Sequence, residues 1–207
     1  AKEPAGKEPA GKEPAAAASV PEAARARPAA AVAGGSEILR VSLAAQGNGL
    51  RLTLSPRLPV AVFERGGIVH VVARGTRAVQ VTGQKLSALA QELEGVQNDG
   101  WSHVRLVPAQ PGLLTVSGHG EGWSIDVLPT VESLTEPIRF QRGADKAGRR
   151  YLAARLAQAG EPVWLDNLDS GERIGVFPLV TPVRAVVASQ HFAEFELLSS
   201  AQGVAVH

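Results

Sequence analysis

The sequence predicts a mainly β fold: antiparallel, sandwich-like structure with one short helix at about residues 85–94, preceded by a disordered tail. From Ile38 onward, short apolar runs alternate with polar residues at a period of two, the pattern of half-buried strands. Turns rich in Gly and Asn separate these runs at hairpin distances. The stretch before them follows neither rule and has little to bury.

That stretch, residues 1–36, opens with AKEPAGKEPAGKEPAAAA, a KEPAG repeat running into poly-Ala. Proline at every fifth position blocks a continuous helix and favours polyproline II. Lys2/Glu3, Lys7/Glu8 and Lys12/Glu13 keep the chain solvated with its charges balanced. Such a composition does not offset the entropy of ordering, so it reads as a disordered spacer. At ~3.1 Å per residue its extended reach is on the order of 100 Å.

The first strand pair is Leu39, Val41 and Leu43 against Leu50, Leu52 and Leu54, joined by Gln46-Gly47-Asn48-Gly49. Pro56 and Pro59 mark the next bend. Ala61-Val62-Phe63 and Ile68 to Val72 then flank Glu64-Arg65-Gly66-Gly67 as a second hairpin. Lys85 to Glu94 changes period: Leu86, Leu89, Ala90 and Leu93 fall at i, i+3, i+4 and i+7, the stripe of an amphipathic helix, with Gly95 as its stop. Strand texture returns at Trp101–Val107, Leu113–Ser117 and Trp123–Leu128. The polar stretch from Pro129 to Pro137 is the expected boundary between a β-rich domain at 37–130 and a second β-rich subdomain at 137–207. In the latter, strands are expected around Ile138–Phe140, Arg149–Ala159, Val163–Leu165, Arg173–Leu179, Val183–Val187, Phe192–Leu198 and Gly203–Val206. The missing Met at position 1 and the apolar finish Val204-Ala205-Val206 read as a chain processed or cut from a longer one, and removal of a secretory signal peptide before Ala1 is compatible with that reading.

Charge and composition narrow the function. Lys plus Arg number 21 against 20 acidic residues, a net charge of +1, which lacks the basic excess of a nucleic-acid binder. No apolar run approaches the ~18 residues of a membrane span. Without cysteine there is no disulfide framework and no thiolate metal site. Past the tail the only lysines are Lys85 and Lys146 beside many Arg, Ala, Gly and Val, the usage of a GC-rich bacterial genome.

The candidate chemistry is sparse. His70 and His103 sit inside strand patterns and are expected to face solvent; His119 lies in the turn Gly118-His119-Gly120-Glu121-Gly122; His191 and His207 are isolated. The nucleophile-elbow pattern GxSxG is absent. Asp166 to Glu172 resembles a calcium loop but lacks its ligand spacing, and it reads as a hairpin turn. No catalytic, metal or cofactor site is expected. Two features suit binding: the basic cluster Arg139, Arg142, Lys146, Arg149 and Arg150, whose guanidinium groups fit carboxylates and phosphates, and the tryptophans, Trp101 and Trp123 above all, with Trp164 the third.

Leu50-Arg51-Leu52-Thr53-Leu54-Ser55, the prolines, and Val60 to Ala73 (VAVFERGGIVHVVA) resemble the AMIN-type modules of bacterial cell envelopes. Gly122 to Leu128 and Phe195 to Val206 are similar to the β-rich envelope regions that accompany tetratricopeptide repeats in proteobacterial proteins. The resemblance centres on residues 38–75. It implies a periplasmic or otherwise extracytoplasmic, non-enzymatic module that binds peptidoglycan or another envelope protein. The sequence thus leads to a non-catalytic envelope binding or scaffolding module on a flexible spacer. The alternatives are a hydrolase with a non-sequential Ser/His/carboxylate site, or a structural subunit of a filament or secretion-type assembly.

Overall fold

A strand that alternates apolar and polar side chains needs cover on one face, whereas a strand that is apolar throughout needs it on both. This chain has both kinds. The computed structural model describes residues 37–83, 88–130, 135–156, 159, 161–166, 171–180 and 182–207. The expected spacer at 1–36 lies outside the described residues, as do 84–87 and the turn at 167–170.

The N-terminal part contains β1 (Glu37–Gln46), β2 (Gly49–Ser55), β3 (Val60–Arg65), β4 (Ile68–Arg74), β5 (Thr76–Gly83), β6 (Ala90–Asn98), β7 (Trp101–Pro108), β8 (Leu113–His119) and β9 (Gly122–Leu128). Then come β10 (Glu136–Pro137), β11 (Phe140–Ala144), β12 (Arg150–Ala154), β13 (Val163–Asp166), β14 (Arg173–Phe177) and β15 (Arg184–Ala185). The chain closes with β16 (Gln190–His191), β17 (Glu196–Leu198), β18 (Ser200–Gln202) and β19 (Val204–Val206). Three five-stranded sheets result, ordered β5-β1-β2-β9-β8, β18-β3-β4-β7-β6 and β13-β14-β19-β17-β16, with β10-β15 and β11-β12 as two-stranded pieces. The mainly β, largely antiparallel fold expected from the sequence is what the chain adopts; β1–β5 and β10–β15 are parallel.

The first and second sheets face each other as a sandwich. Leu39, Val41 and Leu43 of β1 and Leu50, Leu52 and Leu54 of β2 pack with Val60 and Val62 of β3, Val69 and Val71 of β4, and Val104 and Leu106 of β7. The β1–β2 hairpin pairs Gln46 with Gly49, so its turn residues are Gly47 and Asn48, with Gly47 at φ +55°. The β3–β4 turn uses Gly66 and Gly67, both at positive φ, as a two-residue hairpin demands.

The second sheet is apolar on its other face too. Ala61, Phe63 and Val72 point away from the first sheet and pack on Val163, Leu165, Ile174, Val176, Leu198 and Ala205 of the third. The far face of the third sheet is covered in turn by Ile138, Leu179 and Val186, with Phe140, Ala154 and Phe192 beside them. The expected boundary at 129–137 therefore separates segments that share a sheet and a core. β18 pairs with β3 (Ser200↔Phe63, Gln202↔Val62), and Val60 and Leu179 exchange two backbone hydrogen bonds of 2.9 Å.

The expected helix at 85–94 is not formed at its C-terminal half: residues from Ala90 on belong to β6, which runs antiparallel to β7 with Leu93 opposite Leu106 and Gly95 opposite Val104. A tight turn at Asp99-Gly100, with Gly100 at φ +73°, makes this hairpin, and pairing with a strongly alternating neighbour overrides the local helical period. Gly95 is no helix stop. A Cβ there would lie 2.7 Å from Cγ1 of Val79, so this glycine lets β6 approach β5.

Gly203 joins β18 to β19 at φ +74°, and a Cβ would lie 2.8 Å from both the Phe177 carbonyl oxygen and Cβ of Ala61. Gly66 has positive φ with open space around it. Gly66→Ala should therefore cost about 1 kcal/mol, the left-handed penalty alone, and Gly203→Ala about 3 kcal/mol or more, because overlap with a packed backbone is added. Urea unfolding of both variants checks this; equal losses would contradict the packing described.

Candidate functional site

The β11–β12 hairpin decides where the basic residues go. Its register pairs Gln141 with Ala153 and Phe140 with Ala154. Carried one residue further, that register sets Arg139 against Arg155. Alternation then places Arg139, Gln141, Ala153 and Arg155 on one face, and these four line a cleft of about 220 Å³ together with Glu136, Pro137, Ile138 and Arg184. Arg184 arrives from β15, whose parallel pairing with β10 puts it level with Glu136. Its Nη2 donates to Glu136 Oε1 at 2.9 Å and its backbone N–H to Gln202 Oε1 at 2.9 Å, while its Nε is buried with no acceptor among the described residues.

Of the five basic residues expected to act together, only Arg139 reaches this cleft. The guanidinium of Arg142 lies over the Phe192 ring, 5.4 Å from its centroid. Arg149 donates from Nε to Asp145 Oδ2 at 2.7 Å, and Asp145 also accepts from the backbone N–H of Arg149 and Ala147. These bonds, the Arg149 backbone N–H first, hold the Asp145 carboxyl below the usual carboxylate range. Lys146 and Arg150 are exposed near the hairpin tip. Clustering in sequence became dispersal in space because neighbours on a strand point to opposite faces and the turn binds its own charge. Arg155 and Arg184 were missed. Arg155 was legible through the hairpin register; Arg184, brought by a long-range parallel pairing, had no sequence signal.

The tryptophans divide as well. Trp123 is fully buried in the sandwich, its Nε1 donating to the Leu58 carbonyl at 2.8 Å and the Arg57 guanidinium stacked 4.8 Å from its ring centroid. It has no surface to offer a ligand, which corrects the expectation drawn from the sequence. Trp101 is half-buried against the cluster between the second and third sheets. Trp164, on β13, is 50% exposed, with Arg173 4.7 Å from its ring centroid.

A second concavity, about 260 Å³, lies where β8 ends the first sheet and β18 ends the second. Leu113, Leu114, Val186, Val187 and Ala201 give it an apolar lining, with Glu64, Thr115 and Thr135 at its margins. Leu113 is 57% and Val187 60% exposed. The two-residue turn Gly120-Glu121 makes His119–Gly122 a hydrogen-bonded pair, so alternation turns the backbone groups of Leu114 and Val116 away from β9, toward the free edge.

The histidines are placed differently from expectation. His70 does point away from Val69 and Val71, but that face borders the third sheet rather than open solvent. His70 stacks on Phe63 (centroids 5.0 Å apart) and His103 (5.2 Å), and His70 Nδ1 shares a 3.0 Å hydrogen bond with His103 Nε2. Burial, then the charges of Arg105 and Arg65, lowers His70 to about 4. Burial, then His70 and Arg105, lowers His103 to about 3. His119 is exposed, and its Nε2 lies 3.5 Å from Ser124 Oγ. Asp126, two residues beyond Ser124, has both carboxylate oxygens taken by Arg51 at 2.7 and 3.0 Å. No carboxylate bonds to His119 among the described residues, so this serine–histidine contact lacks the orienting third member of a triad. No group of three or more His, Asp or Glu among the described residues is placed to hold a metal ion, and no helix there is long and apolar enough to cross a membrane.

Comparison with family models, with curated proteins and with solved structures gives no match to this chain.

The neutral histidine pair sets an acid limit. Unfolded histidine takes up its proton near pH 6.5, roughly, whereas the folded pair does so only near 4 and 3. Below about pH 6.5 the unfolded chain binds more protons, so stability is full above that value and is lost as pH falls toward 4 and then 3. The urea midpoint should drop steadily across this window, and the His70→Phe/His103→Leu variant should lose most of that slope. A wild-type midpoint flat between those values would show that the rings protonate freely in the fold.

Proposed function

We propose that the chain is a non-catalytic binding or scaffolding module of the bacterial cell envelope, carried on the spacer written into residues 1–36. The observation that carries this reading is the open β8 edge beside an apolar groove. Backbone groups of Leu114 and Val116 face outward, and exposed Leu113 and Val187 flank the space an added strand would fill. Main-chain hydrogen bonds along such an edge supply affinity, while the groove selects apolar side chains at alternate positions. The partner is an extended segment of another extracytoplasmic protein. The likeness of residues 38–75 to AMIN-type modules supports the envelope placement, and the near-neutral charge fits a protein partner better than a nucleic acid.

The test is co-sedimentation with washed envelope fractions and, separately, with protein-free peptidoglycan sacculi. Retention on protein-bearing envelopes is expected, unchanged on removal of residues 1–36. The Leu113→Asp/Val187→Asp variant should lose retention about tenfold or more while keeping its circular dichroism spectrum. Retention on sacculi alone would make the ligand the glycan mesh instead of a protein. Equal retention of the variant and the parent would remove the groove from the function.

A further inference from the structure

We infer that the cleft between the β11–β12 hairpin and the β10–β15 pair is a binding site for a phosphate monoester. Three arginines, Arg139, Arg155 and Arg184, line it with Glu136 as the single carboxylate. The local surplus is two positive charges, in a chain whose net charge is only +1. The surplus is therefore built by the fold and does not reflect a generally basic surface. Glu136 is occupied with Arg184, and neither Arg139 nor Arg155 has a hydrogen bond or ion pair among the described residues. Like charges gathered without counter-charge repel one another, an arrangement that an incoming anion relieves.

Charge matching selects the anion. A carboxylate brings one negative charge and leaves one guanidinium uncompensated. A phosphate monoester brings about −1.5 to −2 at neutral pH and three acceptor oxygens. Guanidinium forks pair with such oxygens in bidentate fashion. Arg184 is already oriented for this role, with its Nη2 committed to Glu136 Oε1 at 2.9 Å. The cleft volume of about 220 Å³ holds a phosphate group with the first atoms of whatever carries it.

The site also explains the pairing of two-residue strands at this place. β10 and β15 are too short to stabilise a sheet of their own, yet their register fixes Glu136 beside Arg184, and the Gln202 side chain anchors Arg184 from behind. These contacts position one guanidinium rigidly, while Arg139 and Arg155 remain free to close on a ligand.

The probe is glycerol 3-phosphate, titrated into the isotopically labelled full chain at low ionic strength and followed by NMR, with acetate at matched ionic strength as control. Shifts are expected at Arg139, Gln141, Arg155 and Arg184, with the ester bound more tightly than acetate. Arg139→Gln and Arg155→Gln should each weaken binding about tenfold, since each removes a charge-assisted partner without breaking an internal bond. Arg149→Gln, outside the cleft, should leave it unchanged. Flotation with phosphatidylcholine vesicles doped with phosphatidic acid distinguishes the source of the ester: binding of the soluble probe alone places it on a small molecule, and binding of both, or of vesicles alone, on a lipid headgroup. Absence of binding in both arms, acetate equal to the ester, or equal weakening by Arg149→Gln would each overturn the assignment.

Discussion

Double-faced burial of β3 and β4 is the constraint on which the other layers depend. Val60, Val62, Val69 and Val71 complete the sandwich with the first sheet, while Ala61, Phe63 and Val72 on the reverse side need a second cover. Burying a side chain of the size of Phe63 is worth about 1.5–3 kcal/mol, and leaving such a face wet forfeits that gain. The third sheet exists to supply the cover, and its own far face then has to be closed by Ile138, Leu179, Val186 and the hairpin β11–β12. The arginine cleft lies on the outside of that last layer.

Much of this architecture was legible. Burial alternates along β1, β2 and β7, and turn glycines mark the hairpins, so local pairing followed from residues that are neighbours in sequence. The continuous apolar run from Val60 to Phe63 also signalled burial on both sides, but nothing local said which segment supplies the second cover. Residues 85–94 misled because Leu86, Leu89, Ala90 and Leu93 fit a helical stripe, while β7 was ready to pair with the segment from Ala90 on. There the long-range ladder prevailed over the local period. Trp123 misled for another reason: a tryptophan on an alternating strand carries no sign of which face is buried, and its apolar neighbours Ile125 and Val127 were the better guide.

The candidate sites were legible only in part. Chemistry gathered by sequence proximity, as at Arg149 and Asp145, neutralised itself within one turn. Chemistry gathered by topology, Arg184 against Glu136 and His70 against His103, came from residues 48 and 33 positions apart. Side chains that meet through sheet register leave no spacing in the sequence, which is why the histidine pair read as two separate solvent-facing residues.

The segment around β18 has a consequence for the order of assembly. Ala201 packs in the first sandwich, Leu198 and Ala205 in the layer beyond it, and Leu197 and Val204 in the outermost cluster, so the nine consecutive positions from Leu197 to Ala205 bolt all three cores together. During synthesis, β3 leaves the ribosome with its outer edge unpaired and waits for some 140 further residues before Ser200 and Gln202 arrive to close it. Contacts of such separation form slowly because the intervening loop must first be ordered. Throughout that delay a valine-rich edge stands open to other chains even after β3 has closed on β4 along its other side, so pairing with neighbouring copies competes with folding until β18 arrives.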